Sequence, residues 1–258
     1  MYLKTISKYH LRILGILALG IIFYNEFAVY WINYLGWPTL TKIKVDESTG
    51  EKSLRFLLVA DPQLIGENDE PWYYDWIARW DSDRYLRNTF LLAESYTKPD
   101  VIIYLGDLFD EGLKSSDAQF DRYFNRFNTI FRTEKLAKKN GIKHVYISGD
   151  NDVGGEYFND RNDRLGERFE NYFGPIVDFI NLNKFTELVK LDLDYTISFY
   201  NSVKRNYLLN ILNSKERIKE MTTNNNKKFT IILNHMSLLY KNKQEINAVI
   251  FYFFKFNY

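Results

Sequence analysis

The sequence predicts an α/β fold built on a parallel sheet, and three observations carry that prediction. From Ser53 to Ser148, short apolar runs alternate with longer stretches of helical period. The connections between them are short. Each apolar run ends in a polar cluster, as strands do where they meet a loop. Strand, helix, strand, helix, strand in that order implies right-handed crossovers and parallel pairing.

Ahead of that pattern lies an apolar stretch. Leu11–Leu35 reads LRILGILALGIIFYNEFAVYWINYL, preceded by Lys4, Lys8 and Arg12 and followed by Gly36-Trp37-Pro38. About 20 mostly apolar residues span a bilayer, so the length suffices. Tyr30, Trp31, Tyr34 and Trp37 suit the headgroup boundary. Asn25 and Glu26 weigh against a span, because a charge at mid-bilayer costs roughly 2.5–3.5 kcal/mol. The expectation is a cytosolic flank and signal anchor over residues 1–37, a linker over 38–52, and a lumenal remainder. Lys42 and Lys44 beyond the segment weaken that orientation. A cleaved signal peptide with Ala18-Leu19-Gly20 at its cleavage site, or a buried amphipathic helix, are the alternatives.

The elements follow in order. Leu54–Ala60 (LRFLLVA) is a strand ending at Asp61-Pro62. Asp83–Thr97 is a helix with apolar positions Tyr85, Leu86, Phe90, Leu92 and Ala93, closed by Lys98-Pro99. Asp100–Leu105 is a second strand, ending at Gly106-Asp107. Gln119–Lys139 reads as one long amphipathic helix stopped by Asn140-Gly141, and Lys143–Ser148 as a third strand ending at Gly149-Asp150. After Pro175 the spacing tightens: Phe185–Leu193 and Tyr195–Asn201 read as hairpin or sheet-edge strands. Asn206–Met221 reads as a helix, Asn224–Asn226 as a loop, and Phe229–Leu233 as a strand leading into Asn234-His235.

Composition narrows the chemistry. The 258 residues carry 34 Lys+Arg against 33 Asp+Glu, a net charge of +1 that gives no electrostatic reason to expect nucleic acid as a partner. There is no cysteine, which excludes disulfides, thiolate zinc sites and a cysteine nucleophile. Any metal must sit on oxygen and imidazole, and the three histidines are His10, His144 and His235. His10 belongs to the basic flank. His144 lies inside a strand and reads as a packed side chain. His235 follows a strand and reads as a ligand.

Four strands end in Asp61-Pro62-Gln63, Gly106-Asp107-Leu108-Phe109-Asp110, Gly149-Asp150-Asn151-Asp152 and Asn234-His235. Ligands collect at the carboxyl ends of strands in α/β sheets, so these clusters should converge on one rim. Taken singly, each acid is equally an ordinary turn or helix-cap residue. Taken together, several oxygens and one imidazole suit Mn, Fe, Zn or Mg, and the lack of thiolate favours the harder metals. Two such ions ~3.5–4 Å apart with a bridging carboxylate could clamp a phosphoryl group for in-line attack.

In order and spacing these blocks resemble those of the calcineurin-like metallophosphoesterases. The resemblance runs from Leu54 to Tyr240. Gly106–Gly112 (GDLFDEG), Asp152-Val153-Gly154 and the aromatic stretch Trp72–Trp80 are similar to the membrane-anchored branch of the family, which includes the post-attachment GPI-anchor phosphoesterase and its yeast relatives. The resemblance implies an α/β/β/α sandwich over residues 53–240 and a phosphodiesterase using two divalent ions, Mn by expectation. It further implies the ethanolamine-phosphate side branch of GPI glycans as substrate, with GPI-anchored proteins as partners. The setting would be the membrane of the early secretory pathway, from the ER and its exit sites to the cis-Golgi, with the catalytic domain lumenal.

Carried over residue by residue, Asp61 would hold the first metal, Asp107 would bridge both, and Asp150 and His235 would hold the second. Asp110 and Asp152 would orient the ligands. Three departures stand out. Gln63 occupies a position where the family has His, and its amide is a weak ligand. Asp150 replaces an amide with a carboxylate. Asn151 stands at the position of the general acid, and an amide has no proton to donate at neutral pH. The family's final Gly-His-x-His block has no counterpart after His235, so the domain reads as partial and truncated, and residues 241–258 as a divergent aromatic tail. The alternative function is a catalytically impaired or inactive lumenal glycan- or cargo-binding protein with a degraded metal site.

Overall fold

The structure, a computed structural model, describes residues 8–40, 53–154, 163–191 and 229–235. The expected strand Tyr195–Asn201, the helix over 206–221, the loop at 224–226 and the tail at 241–258 lie outside the described residues.

The first element is one continuous apolar helix, Lys8–Leu35, with a mean hydropathy of 1.8 over its most apolar stretch and none of that stretch buried. It is the one helix among the described residues long and apolar enough to cross a membrane. It comprises α1 (Lys8–Phe23), a wider π-helical turn at Tyr24–Ala28, and α2 (Val29–Leu35). The wide turn carries the two polar residues. Asn25 Nδ2 donates to the Ile21 carbonyl at 2.9 Å, and Glu26 pairs with Arg84. Three of the terminal aromatics then pack on the next helix, Tyr30 against Tyr85, and Tyr34 and Trp37 against Tyr96.

β1 (Phe56–Val59), β2 (Val101–Leu105) and β3 (Lys143–Ile147) form a parallel sheet in that order, with Phe56 opposite Val101 and Val101 opposite Lys143. α3 (Asp75–Thr97) crosses between the first pair. It starts eight residues ahead of the expected Asp83, because Trp76 and Trp80 in its first turns face outward and leave no buried apolar period to read. α4 (Asp117–Phe131) and α5 (Thr133–Asn140) cross between the second pair. Ser116 and Gln119 cap α4 reciprocally, and Phe120, Tyr123, Phe127, Ile130 and Phe131 form its buried stripe. The single helix expected over Gln119–Lys139 is two, because Arg132 turns left-handed at φ 51° and breaks the backbone ladder.

α6 (Asp150–Val153) and α7 (Asp163–Phe173) precede a second sheet. In it β4 (Asp178–Asn181) runs antiparallel to β5 (Thr186–Lys190), and β6 (Phe229–Leu233) parallel to β5. The sequence reading placed no element at α7 or β4. The alternating side chains of the first sheet face two different partners. Val101, Ile103, Val145 and Ile147 meet Leu188 and Leu233 of the second sheet. Ile102 and Tyr104 meet Phe127 and Phe131 of α4. The described residues are therefore layered helix, sheet, sheet.

His144 lies on the helix-facing side, its ring near-parallel to those of Tyr104 and Tyr146 with centroids 6.0 and 6.3 Å away, while the two tyrosines stack on each other at 5.1 Å. Tyr104 Oη and the His144 Nδ1 share a hydrogen bond of 3.4 Å, and the His144 Nε2 has no partner among the described residues. Burial pulls its pKa from 6.5 down to about 4. The unfolded chain thus binds a proton that the fold refuses, and stability falls as pH drops from about 6.5 toward 4. The full difference corresponds to about 3 kcal/mol, and partial exposure reduces the expected loss to about 1–2 kcal/mol. His144→Phe is expected to flatten that slope. Urea midpoints of both proteins at about pH 7 and pH 4.5 check it; equal slopes would overturn it.

Candidate metal centre

Three strands deliver a polar side chain at the same offset. Asp61, Asp107 and His235 each stand two residues beyond the end of β1, β2 and β6, and Asp150 stands three beyond β3. Parallel strands end on the same side, which gathers Asp61, Asp107 and Asp150 at one rim, and His235 reaches them from the second sheet.

The backbone is bent to bring them there. Asp61, Gln63 and Asp107 have φ of 45°, 40° and 48°, a left-handed conformation that costs a non-glycine residue about 1–3 kcal/mol. Hydrogen bonds between the two loops hold it: Gln63 N donates to Asp107 O at 2.9 Å, Leu64 N to Leu108 O at 3.1 Å and Asp110 N to Leu64 O at 3.1 Å. Strained residues cluster at functional sites because the surrounding structure supplies such restraint.

His235 organises the cluster. Its Nδ1 donates to the Leu105 carbonyl at 2.7 Å, which fixes Nε2 as the nitrogen with a free lone pair. Nε2 lies 3.2 Å from Asp150 Oδ1 and 3.6 Å from Asp107 Oδ1, and Asp61 Oδ1 is 3.7 Å from Nδ1. Burial alone would lower the His235 pKa, but the Asp150 bond, the Leu105 carbonyl and the charges of Asp107 and Asp61 raise it to about 9. The site demands positive charge. One ligand atom each from Asp61, Asp107 and His235 lies within 4.8 Å of the others, so a divalent cation fits the donor set.

Gln63 and Asn151 sit on Asp107. Asn151 donates from its backbone N to Oδ1 at 3.0 Å and from Nδ2 to Oδ2 at 2.9 Å, and Gln63 Nε2 reaches Oδ2 at 3.3 Å. Burial pushes the Asp107 carboxyl up, against the pull of the Asn151 N–H and His235. Asp152 lies fully buried beneath the rim and touches backbone. Its Oδ2 accepts from Leu108 N at 3.1 Å and Gly149 N at 3.0 Å, and its Oδ1 accepts from Phe109 N at 3.1 Å. Burial drives this carboxyl up to about 7, with the N–H groups of Gly149, Leu108 and Phe109 pulling back. Asp110 is exposed, and its charged neighbours are Glu111, Asp69 and Lys114.

Gly149 makes the approach possible. A Cβ there would lie 2.1 Å from Asp107 Oδ1 and 2.2 Å from its backbone N. Backbone cannot swing aside, so Gly149→Ala is expected to destabilise by about 2–3 kcal/mol. Gly141→Ala, where φ is 65° but space is open, is expected to cost only about 1 kcal/mol. Thermal denaturation of the two variants checks the ranking.

Two residues that hold the rim were not singled out in the sequence. Glu111 is fully buried and accepts the backbone N–H groups of Glu67, Asn68 and Asp69, at 3.0, 2.9 and 2.8 Å. It thereby ties the loop after Asp61 to the loop after Asp107. Arg168 of α7 donates to the Ser115 and Gly112 carbonyls at 2.8 and 2.6 Å, with its guanidinium 4.4 Å from the Phe120 ring centre. The Gly66-Glu67-Asn68-Asp69 run opposite Gly106–Gly112 was the available signal for Glu111. Arg168 had none, since its partners are more than 50 residues away.

A family model described as calcineurin-like phosphoesterase matches residues 54–257. Metallophosphoesterase 1 of Ailuropoda melanoleuca is 29% identical over 164 residues, 63% of this chain and 38% of that protein. A Metallophosphoesterase 1 homolog of Drosophila melanogaster is 34% identical over 122 residues, 47% of this chain and 29% of that protein. Cell division control protein 1 of Saccharomyces cerevisiae is 30% identical over 177 residues, 64% of this chain and 33% of that protein. The chain spans less than half the length of these relatives. With carboxylates and an imidazole gathered at the ends of parallel strands, and with the family match running from β1 past His235, the chain belongs to the calcineurin-like phosphoesterases, a metal-dependent family.

Proposed function

We propose that this protein is a membrane-anchored phosphodiesterase that removes the ethanolamine-phosphate side branch of GPI glycans in the early secretory pathway, aiding export of GPI-anchored proteins. One observation carries the chemistry. The Leu105 carbonyl fixes the His235 ring with Nε2 toward Asp107 and Asp150, the arrangement of a metal-facing imidazole. Asp61 would hold one ion, Asp107 would lie between two, and Asp150 and His235 would hold the other. Divalent ions, Mn in this reading, would supply Lewis acidity toward the phosphoryl oxygens and a nucleophile at neutral pH.

The chain's own residues do the positioning. Asn151 and Gln63 fix the Asp107 carboxylate, and the left-handed backbone at Asp61 and Asp107 aims both acids at the rim. Asp61 has 55% of its side chain exposed, which leaves this side open to a substrate. The substrate class is supported by the GDLFDEG block and the apolar helix, and by similarity to Metallophosphoesterase 1. Hydrolysis of an aryl phosphodiester by the full chain should require Mn and cease on chelation. Release of ethanolamine phosphate from a GPI glycan should show the same dependence. A rate unaffected by chelation would overturn the reading.

Asn151 favours a second reading. Its N–H and its side-chain amide are both engaged with Asp107, and the amide offers no proton to a leaving alkoxide. A binding protein that retains the glycan and has lost turnover fits that feature. Calorimetry separates the two: folded protein that takes up no Mn at micromolar concentration yet still retains GPI-anchored proteins would favour binding.

A further inference from the structure

The apolar helix divides at its π-helical turn. From Lys8 to Asn25 every residue is exposed, whereas from Glu26 onward Ala28, Val29, Tyr30, Tyr34 and Trp37 are half-buried. The second part rests on α3. Glu26 pairs with Arg84, Tyr30 meets Tyr85, and Tyr34 and Trp37 meet Tyr96 with ring centroids 5.9 and 5.0 Å away. These pairs advance along both helices in the same direction, so α2 and α3 lie side by side and parallel.

This packing conflicts with a straight span. Tyr9–Asn25 rises about 26 Å, matching the ~27 Å hydrocarbon thickness of a thin bilayer. With Glu26 and Arg84 level and both helices continued straight, Asp75 lies about 13 Å before Arg84, beside Leu17 in the middle of that segment. Arg79, which pairs with Asp75 and reaches Glu67 at 3.6 Å, falls within it as well. The metal-bearing rim would follow, because a crossover helix runs back against its strands and the N-terminal end of α3 lies where β1 ends. Ionised side chains are strongly disfavoured at that depth. Either the contact with α3 or the straightness of the helix must yield.

The residues of the turn favour a break. A helix that starts afresh uses Asn as its N-cap and an acid in its first turn, where the amide dipoles favour negative charge. Asn25-Glu26 supplies both in that order. Asn25 Nδ2 already donates to the Ile21 carbonyl at 2.9 Å, one of the last carbonyls that a helix ending here leaves without a backbone partner. Wide turns of this kind are also where sharp helix bends occur. The contact with α3, in turn, is held by an ion pair and by a cluster in which Tyr34 also meets Trp37 at 5.6 Å. We infer that in the membrane the apolar helix breaks at Asn25-Glu26: Tyr9–Asn25 spans, while Glu26–Leu35 stays on α3 as part of the water-facing domain. α3 then lies along the membrane surface, and the rim stays in water. This rests on the membrane-anchored reading of Lys8–Leu35. The two residues that weigh against one continuous span mark where the span ends.

The chain has no cysteine, so an introduced one reports alone. The full chain carrying Leu17→Cys, Trp72→Cys or Lys138→Cys is reconstituted in phosphatidylcholine vesicles and treated with a membrane-impermeant maleimide. Lys138, exposed on α5, gives the reference rate, and Trp72, 89% exposed, marks the N-terminal end of α3. Trp72→Cys is expected to react within about 3-fold of the reference and Leu17→Cys more than about 10-fold slower, because the reacting thiolate does not form in hydrocarbon. Trp72→Cys as slow as Leu17→Cys would overturn the break and leave the span standing. Leu17→Cys as fast as the reference would overturn the span and the membrane-anchored reading together. In the same vesicles a short bismaleimide is expected to bridge Tyr30→Cys to Tyr85→Cys or, in a second double variant, Trp37→Cys to Tyr96→Cys, read as one added reagent by intact mass. Bridging in neither variant would show that Glu26–Leu35 has left α3 and would overturn the inference.

Discussion

Asp107→Asn is expected to lower Mn-dependent phosphodiester hydrolysis by more than about 100-fold while leaving the melting temperature within about 2 °C of the parent. Asn matches Asp in shape. The backbone N–H of Asn151 still finds an oxygen at the Oδ1 position, and the side-chain amides of Asn151 and Gln63 can flip to present oxygen to the new amide. The fold therefore loses nothing that a flip does not restore. The charge is not restored. Asp107 is the acid that both His235 and Asp150 face, and an amide binds a divalent ion far more weakly than a carboxylate. A residue that only orients a ligand is worth roughly 10–100-fold, so a greater loss separates a ligand from a positioning group. Rates with and without Mn, beside calorimetric Mn titration, check this. Equal rates and equal Mn affinity would remove Asp107 from the centre.

How much of this was legible in the sequence follows from which physical signal each feature depends on. β2 was readable because a strand buried on both faces is a continuous apolar run, VIIYL, and β1 and β6 carry the same run, FLLV and FTIIL, although each leaves one large side chain exposed. The rim was readable because Gly-Asp or Asn-His directly after such a run marks where the backbone must turn. α7 was passed over although Leu165, Phe169, Tyr172 and Phe173 stand at helical spacing. Its polar residues outnumber that stripe, and Gly166 interrupts it. The break at Arg132 left no trace, because a left-handed arginine needs tertiary support that no local pattern encodes. Asp110 shows the limit for the site. Its spacing from Asp107 matches the family block, yet Asp110 faces solvent beside Lys114 and Asp69, whereas its neighbour Glu111 is buried and binds backbone. Spacing places a carboxylate on a loop; packing decides which way it points.

Asp152→Ala is expected to cost about 3–5 kcal/mol and to take Mn binding with it. The buried carboxylate accepts three backbone N–H groups from two loops, Leu108 and Phe109 after β2 and Gly149 after β3. Removing it leaves three buried donors without acceptors, each worth about 1–3 kcal/mol, and relief of the carboxylate's own burial returns part of the sum. Asp152→Asn refines the test. An amide oxygen at the Oδ2 position keeps the bonds to Leu108 and Gly149 but sets an N–H against that of Phe109, so a loss of about 1–2 kcal/mol is expected. The same bonds fix the distance between the Asp107 and Asp150 loops, and Gly149 must stay close to Asp107 for Asn151 to reach its carboxylate. Mn affinity should therefore follow the stability order, parent above Asn above Ala, although none of these three bonds of Asp152 reaches His235 or an acid of the centre. Denaturant midpoints and Mn titrations across the three proteins check both orders. An Ala variant as stable as the parent, or one that binds Mn equally well, would show that the rim is held by something other than this carboxylate.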